Sequence, residues 1–169
     1  MRQVTRAALL APASRSFRPA ALETEPLKYK TFIILAVYSG FRRGEMLGLE
    51  WKDINFDTGV IHIQRTSNYT KARGIYTDET KTKGSNRYVK VPRNMLDMLD
   101  GFRKAQKIES ENVGDKWVDT DRLFVKWDGR PMNPQTPYGW LQEFCVEHNF
   151  PFHGIHQFLR RCRLPDTFV

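Results

Sequence analysis

The strongest constraint on the fold is a dense apolar segment that ends at a glycine. The segment runs from Leu27 to Ser39, and its apolar residues include Phe32, Ile33, Leu35, Ala36 and Val37. This density predicts a helix that is buried over most of its surface, and Gly40 suits the left-handed conformation that ends many helices. Charged residues interrupt the segment well before the roughly 18 apolar residues that a membrane-spanning helix needs. We therefore expect a globular protein, and the 40% hydrophobic content of the 169 residues can supply its core.

The periodicity of the next segments alternates between helix and strand. A short helix is predicted from about Arg42 to Leu49, with Trp51 sealing its end. Alternating apolar residues on both sides of the turn Asp57–Gly59 predict two antiparallel strands. The same pattern makes Tyr88–Val91 a third strand. The polar, glycine-containing stretch Lys71–Arg87 is expected to form a mobile hairpin or long loop at one edge of this sheet.

The second half of the chain is predicted to be mainly helical. Apolar residues recur at three- and four-residue steps from Met95 to Ile108, and a mixed-charge loop is expected from Glu109 to Asp121. Thr136 resembles a helix N-cap with proline at the first helical position. The residues from Ile155 to Cys162 predict a last helix. The fold class is α+β, mainly α, with a small three-stranded antiparallel sheet.

The charge balance indicates a polyanionic partner. The chain has 27 Lys and Arg against 19 Asp and Glu, a net charge of +8. A surplus of this size favours nucleic acid first and an anionic membrane second. The two cysteines, Cys145 and Cys162, form neither a metal-ligand cluster nor a disulfide framework, so we expect an intracellular protein with no metal site.

The first twenty-two residues differ in composition from the rest. Residues 1–22 contain four arginines and no acidic residue, together with many alanines. A targeting peptide would share this composition, but prolines interrupt any amphipathic period, so we expect a basic, disordered tail. A domain of residues 23–156 and a tail of residues 157–169 follow it.

Three segments contain residues that could carry chemistry. In Gly40–Glu45, a glycine turn presents Arg42 at the start of a helix, where it can bind a phosphate, and Glu45 could hold the guanidinium in position. The alternative is a solvated ion pair of little energetic value. Lys81 lies on a basic turn and could give a proton to an alkoxide leaving group; otherwise this turn protects a sheet edge. His153 precedes the last helix, where a structural role is the alternative.

In this order the three segments resemble the catalytic domain of tyrosine recombinases, the phage and transposon integrase family. The resemblance extends from Glu23 to Ile155. Gly40–Glu45 with the trailing Trp51 is similar to the first arginine box of the family, the residues from Lys81 to Arg87 are similar to its hairpin lysine segment, and Phe152–Gly154 is similar to the opening of its second box.

The resemblance implies a phosphoryl transfer that needs no metal and no cofactor. A tyrosine attacks a DNA phosphate and forms a covalent 3′-phosphotyrosyl link. Carried over residue by residue, Arg42 is the first phosphate-binding arginine, Glu45 its acidic neighbour, Lys81 the general acid and His153 the first histidine. The residues expected to contact DNA beside them are Arg43, Lys83, Arg87 and His156. The implied partners are double-stranded DNA and other recombinase subunits, without a membrane, in the cytoplasm of a bacterium.

The sequence also departs from the family. The second box ends in arginine in the family but in His156 here, and a histidine cannot make a bidentate fork. Every tyrosine precedes His153, whereas the family's nucleophile follows it: Tyr29, Tyr38, Tyr69, Tyr76, Tyr88 and Tyr138. We therefore expect a truncated, inactive recombinase catalytic domain. The alternative is a non-catalytic DNA-binding or regulatory module.

Overall fold

A computed structural model describes residues 19–79 and 86–152. Within these residues the chain forms four α-helices and five β-strands. The helices are α1 (Leu27–Ser39), α2 (Arg43–Gly48), α3 (Arg93–Val113) and α4 (Thr136–Glu147). The strands are β1 (Ile54–Asn55), β2 (Val60–Ile63), β3 (Arg65–Thr70), β4 (Gly74–Glu79) and β5 (Arg87–Lys90). The predicted last helix, residues 155–162, lies outside the described residues.

Helix α1 lies at the centre of the core, as its apolar run predicted. Its residues from Thr31 to Ala36 are buried, and it is followed by the C-cap Gly40, whose φ of 65° is left-handed. The ring of Phe32 meets Phe124 edge-on at 5.1 Å. Tyr29, on the same helix, stacks on Trp140 of α4 at 4.6 Å. The predicted buried helix is confirmed, and it contacts α2, α3 and α4.

The predicted three-stranded sheet is also confirmed. Strands β1, β2 and β5 are antiparallel in the spatial order β1-β2-β5. Ile61 pairs with Ile54 on one side and with Val89 on the other. The Asn55 side chain accepts hydrogen bonds from the N–H groups of Asp57 and Thr58. This Asx turn explains why the predicted β1–β2 turn forms here. The α+β, mainly helical fold class is correct.

The structure contains a second, two-stranded sheet that the sequence analysis missed. Strands β3 and β4 pair from Arg65↔Glu79 to Thr70↔Gly74. Of the two structures expected for Lys71–Arg87, a hairpin or a long loop, the loop is wrong over Gly74–Glu79, which is one strand of a hairpin. This hairpin forms a sheet of its own instead of an edge of the three-stranded sheet. Both strands are mainly polar, so they lack the apolar alternation that reveals a half-buried strand. Contacts with the rest of the protein decide this pairing instead.

The first of these contacts is a close approach between α2 and β3. A Cβ atom added to Gly48 would lie 2.7 Å from the backbone oxygen of Arg65, and one added to Gly44 would lie 3.2 Å from that of Ser67. The two glycines are one helical turn apart, so they present one face of α2 without side chains. Strand β3 lies directly against this face.

The second contact is a buried ionic network around Arg122. Its guanidinium donates to the backbone oxygen of Leu47 at 2.9 Å and to the Thr77 hydroxyl at 2.7 Å, and it lies 3.3 Å from Glu50. Arg65 binds both Glu50 and Asp53. Burial lowers the pKa of the Arg122 guanidinium, and the carboxylates of this network offset only part of that effect. The network connects both strands of the second hairpin to α2 and to the Trp51–Asp53 turn.

Several predicted element boundaries change in the structure. Helix α3 continues through residues that were expected to begin a loop, and Ile108, which the periodicity assigned to the core side, is 59% exposed. The N-cap of α4 is Gln135 rather than Thr136. At the other end of the described chain, Leu22 is in the core, although it belongs to the predicted tail.

No helix within residues 19–79 and 86–152 has the length and apolar character needed to cross a membrane.

The contact between α2 and β3 predicts opposite effects for two glycine substitutions. Gly48→Ala should lower the free energy of unfolding by about 1–3 kcal/mol, because the new methyl group would overlap backbone atoms. Gly101→Ala should raise it by about 1 kcal/mol, since Gly101 is exposed inside α3 with open space around it. Urea unfolding followed by tryptophan fluorescence measures both. Equal effects of the two substitutions would contradict the proposed packing.

Candidate active site

Arg42 projects from the turn between α1 and α2. Gly40 redirects the chain, and the side chain of the next residue, Phe41, is buried in the core. Arg42 follows with extended backbone angles, φ −69° and ψ 150°, as the N-cap of α2. Its side chain is 72% exposed. The backbone at Arg42 is thus held by a buried neighbour while its guanidinium reaches into solvent.

Glu45 is a buried carboxylate that binds two arginines. Its side chain is 1% exposed. The backbone N–H of Arg42 donates to Oε2 at 2.8 Å. The two terminal nitrogens of Arg87 donate to Oε1 and Oε2, each at 2.9 Å. The Arg42 guanidinium is farther away, with Nη1 at 3.5 Å from Oε1. The main partners of Glu45 are therefore the Arg42 backbone and the Arg87 side chain.

The two arginines keep Glu45 charged despite its burial. Burial by itself would raise the pKa of the carboxyl group. The hydrogen bonds from Arg87 and from the Arg42 backbone, together with both positive charges, outweigh burial, so the pKa of Glu45 falls below its ordinary value. The hydrogen bond to Glu45 also raises the pKa of Arg87. The site therefore contains an ion pair at neutral pH.

Strand β5 brings Arg87 to this carboxylate. Side chains alternate between the two faces of a strand, so Arg87 and Tyr88 lie on opposite faces. The Arg87 guanidinium carbon lies 5.6 Å from the centre of the Phe41 ring, within range of a cation–π interaction. Tyr88 is 70% exposed and stacks on His62 of β2 at 4.2 Å. On β5, the Arg87 side chain therefore points toward α2, and the Tyr88 ring points away from it.

The structure brings together three of the residues singled out from the sequence. Arg42, Glu45 and Arg87 form one cluster, and Arg43 is half-buried in the first turn of α2. The remaining four lie outside the described residues: Lys81, Lys83, His153 and His156.

Sequence reasoning missed the pairing between Glu45 and Arg87. It offered two interpretations of the acidic residue: a support for the Arg42 guanidinium, or half of a solvated ion pair. The carboxylate is not solvated, and its shorter bonds go to the Arg42 backbone and to Arg87. The sequence did contain one indication of this pairing. Glu45 lies in a helix among apolar residues, and a carboxylate buried there needs a charged partner from another element.

Comparison with known proteins shows the family of the chain. The chain matches the phage integrase family over residues 10–160. It is 34% identical over 134 residues to the ICEBs1 integrase of Bacillus subtilis, an alignment that covers 79% of this chain and 36% of that integrase. It is 32% identical over 107 residues to a XerC-like tyrosine recombinase of Caldanaerobacter subterraneus, covering 58% of this chain and 27% of the relative. The chain thus spans about a third of the length of these curated relatives.

Solved structures have the same fold. The Tn1549 transposon integrase, in complex with a circular intermediate DNA, superimposes with a TM-score of 0.68 at 21% identity, covering 90% of this chain and 52% of that one. The XerA recombinase superimposes with a TM-score of 0.59 at 15% identity, covering 84% of this chain and 43% of that one. The described helices and the small sheet are those of a tyrosine recombinase catalytic domain. The chain belongs to the phage integrase family, which confirms the resemblance stated from the sequence.

The buried carboxylate predicts a pH-dependent effect of Glu45→Gln. At neutral pH this substitution should lower the free energy of unfolding by about 1–3 kcal/mol, because Arg87 loses its charged partner. The pKa of Glu45 is lower in the folded than in the unfolded protein. Its stabilisation is therefore present above the ordinary carboxyl pKa and is lost as the pH falls through the folded value.

Urea unfolding of both proteins between neutral and acidic pH tests this. The difference in unfolding free energy should shrink as the pH falls below the ordinary glutamate range. Glu111→Gln is the control, since Glu111 is exposed on α3, and it should show no such trend. A difference for Glu45→Gln that stays constant with pH would contradict the ionised pair.

Proposed function

We propose that this chain carries part of the catalytic site for site-specific recombination of double-stranded DNA. The observation that carries the proposal is the geometry of Arg42, whose guanidinium is exposed while its backbone is bonded to a buried carboxylate. A guanidinium held in this way can donate two parallel hydrogen bonds to the oxygens of a phosphate. The contact of this guanidinium with Glu45 is long, 3.5 Å between Nη1 and Oε1, so Glu45 occupies few of its N–H donors.

The relatives support DNA as the partner. The curated relatives are integrases and recombinases, and the Tn1549 integrase was solved in complex with a circular intermediate DNA. The net charge of +8 on 169 residues adds a general attraction to the phosphate backbone. Other recombinase subunits are the second class of partner, since site-specific recombination joins more than one cut DNA strand.

In the proposed reaction a phosphoryl group passes from DNA to a tyrosine. The tyrosine hydroxyl loses its proton to water as its oxygen attacks phosphorus, and the bond to the 5′-oxygen breaks. Lys81 gives its proton to the departing 5′-oxygen, while Arg42 and His153 bind the non-bridging oxygens. Preorganised donors of this kind stabilise the charge that develops in the transition state. The roles of Lys81 and His153 come from the family resemblance and stay predictions.

The positions of four of the six tyrosines argue against cleavage by these 169 residues alone. Tyr88 is next to Arg87 in sequence, but strand alternation directs it to the opposite face of the sheet. Tyr29 stacks on Trp140, and Tyr138 packs edge-on against Phe152. Tyr76 is covered by the Arg73 guanidinium at 4.1 Å. We therefore propose that the nucleophilic tyrosine comes from outside these 169 residues.

The same observation favours one alternative function. A chain that binds DNA phosphates through Arg42 and has no tyrosine at the site could act as a non-catalytic DNA-binding or regulatory module. It would then occupy recombination sites or pair with an active recombinase. Covalent attachment of DNA in the presence of a tyrosine-bearing partner distinguishes the two functions.

DNA binding should depend on salt and on Arg42. Affinity for a duplex should fall by orders of magnitude between low and moderately high salt, because binding releases counterions. Arg42→Ala should weaken binding by about tenfold and reduce the slope of log affinity against log salt by about one. Lys104→Ala removes the same charge from an exposed position on α3, where Lys104 pairs with Asp100, and should change affinity about twofold or less.

Fluorescence anisotropy with a labelled duplex at several salt concentrations measures these effects. An affinity that does not change with salt would contradict DNA binding through phosphates. Equal losses for the Arg42 and Lys104 variants would contradict the role of Arg42.

The chain by itself should form no covalent adduct with DNA, even on a nicked duplex that traps the phosphotyrosyl product. None of the six tyrosines should reach a phosphate held at Arg42. The purified chain is incubated with labelled DNA and resolved under denaturing conditions, alone and then with a tyrosine-bearing recombinase. An adduct of the purified chain that one Tyr→Phe substitution abolishes would overturn the inactive-fragment interpretation.

A further inference from the structure

Two arginines from distant segments meet at one carboxylate. Oε2 of Glu45 accepts the Arg42 backbone N–H at 2.8 Å and an Arg87 N–H at 2.9 Å. Oε1 accepts the other Arg87 N–H at 2.9 Å and faces the Arg42 guanidinium at 3.5 Å. Each oxygen of Glu45 therefore contacts both arginines. A shift of this carboxylate changes its contacts with Arg42 and with Arg87 together.

The fork of Arg87 determines how the carboxylate is oriented. Two parallel N–H···O bonds fix the plane of a carboxylate as well as its distance, which a single point charge such as lysine cannot do. The plane of Glu45 decides where Oε2 lies, and Oε2 holds the backbone at Arg42. Two hydrogen bonds therefore connect Arg87 to Arg42: one from Arg87 to Glu45 and one from the Arg42 backbone N–H to Glu45. Arg42 is the residue whose guanidinium is proposed to bind phosphate.

The exposures of the two arginines distinguish their roles. The Arg42 side chain is 72% exposed and the Arg87 side chain 33%. Both terminal nitrogens of Arg87 donate to Glu45, and its guanidinium lies within cation–π range of the buried Phe41 ring. Arg42 is arranged to meet a ligand in solvent, whereas Arg87 is arranged to hold a protein group.

We propose that Arg87 is a positioning residue, which affects DNA binding through Glu45 and Arg42 and makes no phosphate contact of its own. This replaces the DNA contact expected from the sequence, and it rests on the proposed function. It also explains why the strand that follows the Lys81 segment begins with an arginine. The fork on Glu45 anchors that strand to the turn that presents Arg42.

A double-mutant cycle on duplex affinity tests this proposal. The proteins are the wild type, Arg42→Ala, Arg87→Met and the double variant. Arg87→Met should weaken the wild type about as much as Arg42→Ala does, but should weaken the Arg42→Ala protein no more than the charge control Lys104→Ala does. Two independent phosphate contacts would instead multiply their effects, and that result would overturn the proposal.

Arg87→Lys provides the second variant, because it keeps the charge and removes only the fork. Under the proposal it should lose most of the affinity that Arg87→Met loses. A direct phosphate contact would be largely preserved by lysine, so near wild-type affinity would also overturn the proposal. Thermal melting checks that each variant is folded, and the lysine variant decides the question if Arg87→Met does not fold.

A third comparison separates positioning from general stability. In the Glu45→Gln background, Arg87→Met should have no further effect on affinity beyond that of the charge control, because the carboxylate that Arg87 orients is already gone. If the wild-type chain binds no duplex at any salt concentration, the proposed function fails and the positioning role fails with it. If the wild type binds and the effects multiply, only the positioning role is wrong.

Discussion

The site depends on one buried charge. A carboxylate that is 1% exposed is very costly unless charged partners and hydrogen bonds surround it. Glu45 meets this requirement with groups from two elements, the backbone of Arg42 at the start of α2 and the fork of Arg87 on β5. Because an unpaired buried carboxylate is so unfavourable, the bonds to Glu45 hold the start of α2 and strand β5 together. The exposed Arg42 guanidinium is placed by that junction.

A second ionic network, around Arg122 and Arg65, positions the hairpin of β3 and β4. Strands β3 and β4 have little apolar surface to bury, so the usual driving force for a hairpin is weak. Arg122 and Arg65, paired with Glu50 and Asp53, connect this hairpin to the core, and Gly48 allows its backbone to approach α2. Buried ion pairs are not a reliable source of net stability. Here they determine where a polar hairpin lies relative to the rest of the fold.

Both networks contact α2. Glu45 accepts from Arg87, and the Leu47 carbonyl accepts from Arg122. This six-residue helix is too short to be stable alone. Its position comes from its buried side chains and from the two sets of charged contacts. The residue that precedes it, Arg42, is therefore presented by a part of the protein that is held from several directions, as a phosphate-binding group requires.

The sequence by itself determined the helices with strong apolar periodicity, the three-stranded sheet and the short helix after Gly40, because each depends on neighbouring residues. Leu27–Ser39 and the turn at Asp57–Gly59 formed as predicted for this reason. Only the tertiary structure decided the β3–β4 hairpin and the partner of Glu45. Polar strands carry no apolar alternation, and the sequence does not indicate which distant arginine satisfies a buried carboxylate. Those choices depend on which groups meet once the core has formed, and on the cost of leaving any of them unpaired.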